Sequence, residues 1–155
     1  MTTAIDLFAG LGGWSTGARA AGVQVLWAAN HWPVAVEWHS ANHPDTQHVC
    51  QDLHQARWEQ VPAHDVLLAS PCCQGHAKAR GKKSGNPEHD ASRSTAWAPV
   101  SALEFHRPQA AVIENVPEFT AGCSTLPGFK RCRHWGIRRH RTSWTAPTSA
   151  YLSIE

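Results

Sequence analysis

No apolar run in the 155 residues approaches the roughly 20 that a membrane-crossing helix needs, which predicts a soluble chain. Residues 1–30 lack the basic start, long apolar stretch and cleavage site of a secretory signal. The five cysteines are odd in number and have no framework spacing. These absences predict reduced thiols in a cytoplasm and exclude a disulfide scaffold. A strong charge imbalance is also missing. Fourteen Lys and Arg against 12 Asp and Glu leave a formal charge of +2, which does not describe a nucleic-acid-binding tail. The basic residues are clustered instead, one run holding Lys78, Arg80, Lys82 and Lys83 and another holding Arg131, Arg133, Arg138, Arg139 and Arg141. The length suits one domain with a real core and is too short for two of ordinary size.

Short apolar runs alternate with helical patterns along the chain. Residues 3–10 read as a buried strand entering a glycine turn, and 13–22 as a helix ended by Gly22. Residues 23–30 are strand-like, Pro33 suits the first turn of a helix running to about Asn42, and 48–53 is a short strand. Residues 65–70 form another strand, and 94–107 a helix in which Pro99 either makes a kink or marks the true first turn. Residues 110–116 form a last buried strand. This alternation predicts an α/β fold with a largely parallel sheet, which binds ligands at the carboxyl ends of its strands. Three strand ends carry unusual residues, at 6–13, 70–74 and 114–116, and are expected to share one crevice.

In 6-DLFAGLGG-13, Gly10, Gly12 and Gly13 allow a sharp turn and close approach of a ligand to the backbone, and the helix that follows offers free amides. The dinucleotide fingerprint G-x-G-x-x-G is not completed, and an ordinary tight turn is the plain alternative. In 69-ASPCCQGHAKARG-81, Cys72 or Cys73 could be a small apolar core residue. A loop at a strand end, a preceding proline and nearby cations favour a reactive thiolate for one of them. Adjacent cysteines are poor partners on tetrahedral zinc, and no second C-x-x-C pair or His-x-x-x-His is expected to close the set, so no metal is expected. In 113-IENVPEF-119, an acid closing an apolar strand needs a partner or a proton. Glu114 is therefore either a helix-capping carboxylate or a proton donor to a substrate base.

Taken together, 6-DLFAGLGG-13, 70-SPCCQG-75 and 114-ENV-116, in this order and at these spacings, resemble the DNA (cytosine-5) methyltransferases from about residue 3 to residue 119. The resemblance implies a Rossmann-like S-adenosylmethionine-dependent methyltransferase fold, mostly parallel and here incomplete. It implies that Phe8, Ala9, Gly10, Gly12, Gly13 and Pro71 surround S-adenosylmethionine and that Trp32 stacks on its adenine. Asp52 matches the acid near the adenine amino group, while His31 stands where the family usually has an acid for the ribose hydroxyls. A neutral imidazole there still accepts one hydrogen bond. Cys73, directly before Gln74, matches the thiolate that attacks C6 of a cytosine flipped out of double-stranded DNA, and Cys72 occupies a usual proline position. Glu114, followed by Asn115, matches the acid that supports N3 and N4 while C5 takes the methyl group.

That division of roles follows from the chemistry. C5 of cytosine is a poor nucleophile until a bond at C6 and a proton or hydrogen bond at N3 give it enamine character. The base must also leave its stack to meet a thiol. After the cysteine, His76 and Ala77 replace the usual aromatic and serine, and the basic residues 78–83 suit a loop touching DNA phosphates, with a solvated loop as the alternative. The resemblance implies a monomer without metal or membrane, in a restriction-modification or phage setting. The rival from another class is a non-catalytic α/β module holding a nucleoside cofactor or DNA, and a third reading is a histidine and cysteine metal-binding protein.

Beyond Phe119 the pattern stops. The run 130-KRCRHWGIRRHRTSWTAPTSAYLSIE-155 lacks apolar periodicity, and the family's glycine-valine-proline-glutamine-x-arginine motif is absent. Reading codons from the last base of one residue through the first two of the next, residues 134–155 can encode LGHTPSPNILDGADLGVPQHR, which contains that motif. A frameshift near residues 121–123 is therefore expected. It leaves 1–120 as the amino-terminal part of the catalytic domain and 121–155 as a foreign, poorly ordered tail, with the target recognition domain missing.

Overall fold

In the structure, a computed structural model, residues 1–72, 95 and 97–115 are described. Five strands, β1 (Thr3–Leu7), β2 (Gln24–Asn30), β3 (Gln47–Cys50), β4 (Val66–Ala69) and β5 (Ala110–Ile113), form one sheet in the order β3-β2-β1-β4-β5. Every neighbouring pair is parallel. The crossovers carry helices α1 (Gly13–Ala20), α2 (Pro33–Asn42) and α3 (Trp97–His106), while β3 reaches β4 through two 3₁₀ turns, Leu53–Gln55 and Trp58–Gln60. The chain winds from β1 outward to β3, then returns to the other side of β1 for β4 and β5. The strand order therefore reverses between β1 and β4, and a crevice opens above their carboxyl ends.

Period-two alternation divides the core between the two faces of the sheet. Ile5, Leu7, Leu67, Ala69, Ala111 and Ile113 pack with Val100 and Leu103 of α3, whereas Ala4 and Leu68 pack with Trp14 and Ala18 of α1. A bulge in the β1–β2 register, where Ala4 faces Val25 and Ile5 faces Trp27, inserts one residue at Leu26. Val25 consequently joins the α1 face and Trp27 the α3 face. Full burial of side chains such as Ile5 and Leu67 contributes about 1.5–3 kcal/mol each, so the central strands anchor the loops at their ends.

The expected elements are all present, although β4 ends at Ala69 and β5 at Ile113, short of residues 70 and 116, and the ends of several others show what stops them. Left-handed Gly22, with φ 77°, follows α1, and Val23 N–H reaches back to Ala18 O. Pro33 opens α2. Pro99 lies in the first turn of α3, where a missing amide costs no helical hydrogen bond, so the helix is not kinked there. β3 stops at Cys50, short of residue 53, because the Asp52 side chain accepts the His54 amide at 2.9 Å and starts a 3₁₀ turn. Among the described residues, no helix is long and apolar enough to cross a membrane.

Candidate active site

Register brings the strand ends level. Leu7 pairs with Ala29 and with Ala69, Ala69 with Ile113, and Asn30 with Cys50. Phe8, Ser70, Glu114, His31 and Gln51 therefore emerge along one edge. Backbone bonds carry the ladder one step further, from Ser70 N to Leu7 O at 3.1 Å, Glu114 N to Ala69 O at 2.9 Å and Gln51 N to Asn30 O at 3.0 Å. The three segments expected to share a crevice do begin side by side.

The glycine loop turns through left-handed backbone at Phe8 (φ 59°), Gly10 (φ 54°) and Gly12 (φ 97°). For Phe8, which is not glycine, that conformation costs about 1–2 kcal/mol, and its ring packed against the main core holds it there. Ala9 N–H reaches Ala29 O at 3.1 Å, and Gly12 N–H returns to Ala9 O at 3.0 Å. A Cβ on Gly12 would lie 2.4 Å from His43 Nε2, whereas one on Gly13 would meet nothing within 4 Å among the described residues. Glycine at 12 is thus required by the protein itself, and the space beside Gly13 is open.

Two side chains tie this loop to the next strand ends. Trp14 Nε1 donates to Ser70 Oγ at 2.8 Å, joining α1 to the end of β4. Asn115 Nδ2 donates to the buried Pro71 carbonyl at 2.7 Å. That bond fixes the backbone immediately before the adjacent thiols. Cys72 is a half-buried free thiol and Glu114 is half-buried. Cys73, Gln74, His76, Ala77, the basic residues 78–83, Val116 and the arginine-rich tail lie outside the described residues.

At the other end of the row, His31 and Trp32 are exposed, Trp32 by 55%. The Trp32 amide is held by Asn30 Oδ1 at 3.0 Å. Asp52 is exposed, and its Oδ1 is occupied in capping His54, so the acid matched to the adenine amino group also shapes the turn after β3.

Sequence reasoning missed a buried polar line beneath the glycine loop. Asp6 is fully buried, and its Oδ2 accepts Ser15 Oγ–H at 2.8 Å. Ser15 Oγ lies 3.0 Å from His39 Nε2, and His39 Nδ1 lies 2.8 Å from His48 Nε2. One proton on each donor satisfies the three contacts, with His48 donating to His39, His39 to Ser15 and Ser15 to Asp6 Oδ2, while Asp6 Oδ1 is buried without a hydrogen-bond partner among the described residues. Contrary to expectation a His-x-x-x-His spacing is present, from His39 to His43, and it sets the ring of His43, just past the end of α2, 4.7 Å from that of His39. That spacing also suits metals. Here, however, the two Nε2 atoms face Ser15 and Gly12 O, and no group of three or more His, Cys, Asp or Glu side chains is placed to hold a metal ion among the described residues.

Burial lowers the pKa of four histidines, His43, His48, His64 and His106, below the ordinary value. His64 and His106, with ring centroids 4.7 Å apart, each also leave a buried Nε2 without a hydrogen-bond partner among the described residues. The folded state thus binds fewer protons than the unfolded chain. The stabilisation from neutral histidines is complete above about pH 6.5 and is lost as pH falls below it. The melting midpoint should stay level from about pH 8 to 7 and drop by several degrees from about pH 6.5 to 5. Asp65, whose carboxyl is held below the usual range by hydrogen bonds from the Thr3 backbone and side chain, adds its loss only at lower pH. A midpoint that rose or stayed constant between pH 6.5 and 5 would contradict this.

A doubly wound parallel sheet with a glycine loop at its switch point, and a Pro71 carbonyl fixed by Asn115 beside it, defines an α/β domain of the methyltransferase type. The solved structure of a TehB-like S-adenosylmethionine-dependent methyltransferase from Corynebacterium glutamicum shares this fold, with TM-score 0.59 at 11% identity, covering 99% of this chain and 80% of that one. A candidate DNA modification methyltransferase encoded within an E. coli prophage matches with TM-score 0.74 at 19% identity, over 100% of this chain and 47% of that one. The sequence profile of the C-5 cytosine-specific DNA methylases matches residues 2–123, and the chain belongs to that family. The type II methylase M.HgiEI of Herpetosiphon aurantiacus is 36% identical over 115 residues, 72% of this chain and 25% of the relative. This chain therefore spans about a quarter of that relative's length. The fold class and family expected from the three motifs are the ones found.

Proposed function

We propose that this chain forms the cofactor pocket and nucleophile loop of an S-adenosylmethionine-dependent DNA cytosine-5 methyltransferase, acting as a monomer on double-stranded DNA in a cytoplasm. The observation that carries the reading is the level alignment of Phe8, Ser70 and Glu114 at the switch point of a chain in the C-5 cytosine family. Open space beside Gly13 and an uncovered indole at Trp32 suit a nucleoside. Phe8, Ala9, Gly10, Gly12, Gly13, Trp32 and Pro71 would hold the cofactor, His31 would accept a hydrogen bond from one ribose hydroxyl, and Asp52 would meet the adenine amino group. Bound there, S-adenosylmethionine supplies an electrophilic methyl group.

The remaining chemistry belongs to the side chains. The Cys73 thiolate adds to C6 of the flipped cytosine and Glu114 supports N3, which raises electron density at C5. Gln74 follows the nucleophile, and Asn115 holds the Pro71 carbonyl so that the thiol loop starts from one position. Calorimetry with S-adenosylhomocysteine and covalent capture of DNA containing 5-fluorocytosine test the proposal. Binding together with capture supports it. Binding without capture by the folded chain reduces it to a non-catalytic module, and the absence of both binding and capture overturns it.

The altered reading frame is part of the proposal. The family match ends at residue 123, within the interval where the shift is expected, and residues 134–155 permit the missing motif in the other frame. The nucleotide sequence beyond codon 120 should therefore read LGHTPSPNILDGADLGVPQHR in the shifted frame. Bases that do not spell it would dispose of the frameshift while leaving the pocket proposal intact.

A further inference from the structure

The carboxyl end of α2 reaches across to the glycine loop with two consecutive side chains. Asn42 Nδ2 donates to Leu11 O at 3.0 Å, and His43 Nε2 lies 3.1 Å from Gly12 O. These two carbonyls belong to consecutive residues of the loop, 31 positions earlier in the chain. Neutral His43 must carry its proton on Nε2 to donate here. Its ring also fills the space that a Cβ at residue 12 would need. Thr16 Oγ1, which donates to the same Gly12 carbonyl at 2.9 Å, lies 3.3 Å from His43 Nε2 and completes the grip.

The holding residues are themselves anchored. His43 N–H bonds to His39 O at 2.8 Å, Thr46 N–H to His43 O at 3.1 Å, and Thr46 Oγ1 to Val25 O at 2.9 Å. Pro44 prevents α2 from continuing through this corner. A glycine-rich loop left to itself samples many shapes, and choosing one when a ligand arrives weakens binding. Bonds to two successive carbonyls oppose rotation of both peptide planes.

We propose that Asn42 and His43 are positioning residues of the cofactor loop, holding the Leu11 and Gly12 carbonyls on the α2 side so that the ligand-binding shape exists before the ligand arrives. This rests on the proposed cofactor pocket. The two residues touch neither cofactor nor substrate, and they act through the loop.

The test is calorimetry of S-adenosylhomocysteine on the full chain at about pH 8, with melting midpoints recorded in parallel. Asn42 is exposed, so Asn42→Ala should fold with an unchanged midpoint and bind roughly fivefold to tenfold more weakly, the effect of one lost hydrogen bond. His43→Phe, which fills the space without a donor, should lose at least as much, and His43→Gln, which restores an N–H, should recover part of it. If His43→Phe fails to fold, Asn42→Ala decides alone. Wild-type affinity in Asn42→Ala, with wild type itself binding, overturns this proposal and leaves the pocket standing. Failure of the wild type to bind overturns the pocket and this proposal together.

Discussion

Cys73→Ser is expected to abolish covalent capture of DNA carrying 5-fluorocytosine in the presence of S-adenosylmethionine, and Cys72→Ser to leave capture in place. The two thiols are adjacent, so the contrast depends on how the backbone reaches them. Asn115 fixes the Pro71 carbonyl from the end of β5, and Cys72 follows directly with a half-buried side chain. Cys73 and Gln74 come next in the sequence, the pair that matches the family's nucleophile motif. Only a thiolate attacks C6 readily, and a serine hydroxyl is barely ionised near neutrality, so the substitution should reduce capture to background. A single-stranded oligonucleotide is the better probe, because its base needs no unstacking and no target recognition domain to extrude it. Denaturing gels or intact mass would show the adduct. Capture surviving in Cys73→Ser but lost in Cys72→Ser would reverse the assignment.

The second large effect is on stability. Gly12→Ala should destabilise the fold by about 2–4 kcal/mol, a sum of left-handed strain and a displaced hydrogen bond, and lower the melting midpoint by roughly 10 °C. Two causes act at this one position: φ of 97°, and a new Cβ placed 2.4 Å from His43 Nε2. The imidazole would have to swing away and surrender the Gly12 carbonyl. Gly13→Ala and Gly17→Ala are the controls, since an added Cβ at either meets nothing within 4 Å among the described residues. Gly17 lies inside α1, so alanine there should stabilise by about 0.5–1 kcal/mol. Gly13→Ala should preserve the melting midpoint while weakening S-adenosylhomocysteine, because the space it fills is the one proposed for the ligand. Equal midpoints for Gly12→Ala and wild type would show that His43 yields freely, contrary to its place in the site.

Much of the architecture was legible because it is local. Strand and helix periods, Pro33 at the start of α2, Gly22 after α1 and Pro99 in the first turn of α3 are all consequences of backbone sterics acting over a few residues. Asp52 shows the limit of pattern reading. Its short side chain can accept a nearby amide, and it turned the chain two residues after β3 ended, where apolarity alone predicted more strand. The histidines beneath the glycine loop were only half legible, because the His39-x-x-x-His43 spacing stands in the sequence but the partners of the rings do not. A lone histidine has no preferred side of a fold, and His39 and His48 find each other only once α2 packs beside β3.

The sequence by itself determined the order of the elements, the glycine loop, the placing of Ser70, Cys72 and Glu114 at or near strand ends, and the family to which they belong. Tertiary structure alone decided that those ends are level, that the bulge at Leu26 sends Val25 and Trp27 to opposite faces, and that Asp6, Ser15, His39 and His48 form one line. It also decided that Asn42 and His43 grip the loop. The physical reason is range. Periodicity and turn chemistry act between residues close along the chain, whereas these hydrogen bonds and packing contacts link segments that meet only when the parallel sheet has set their register.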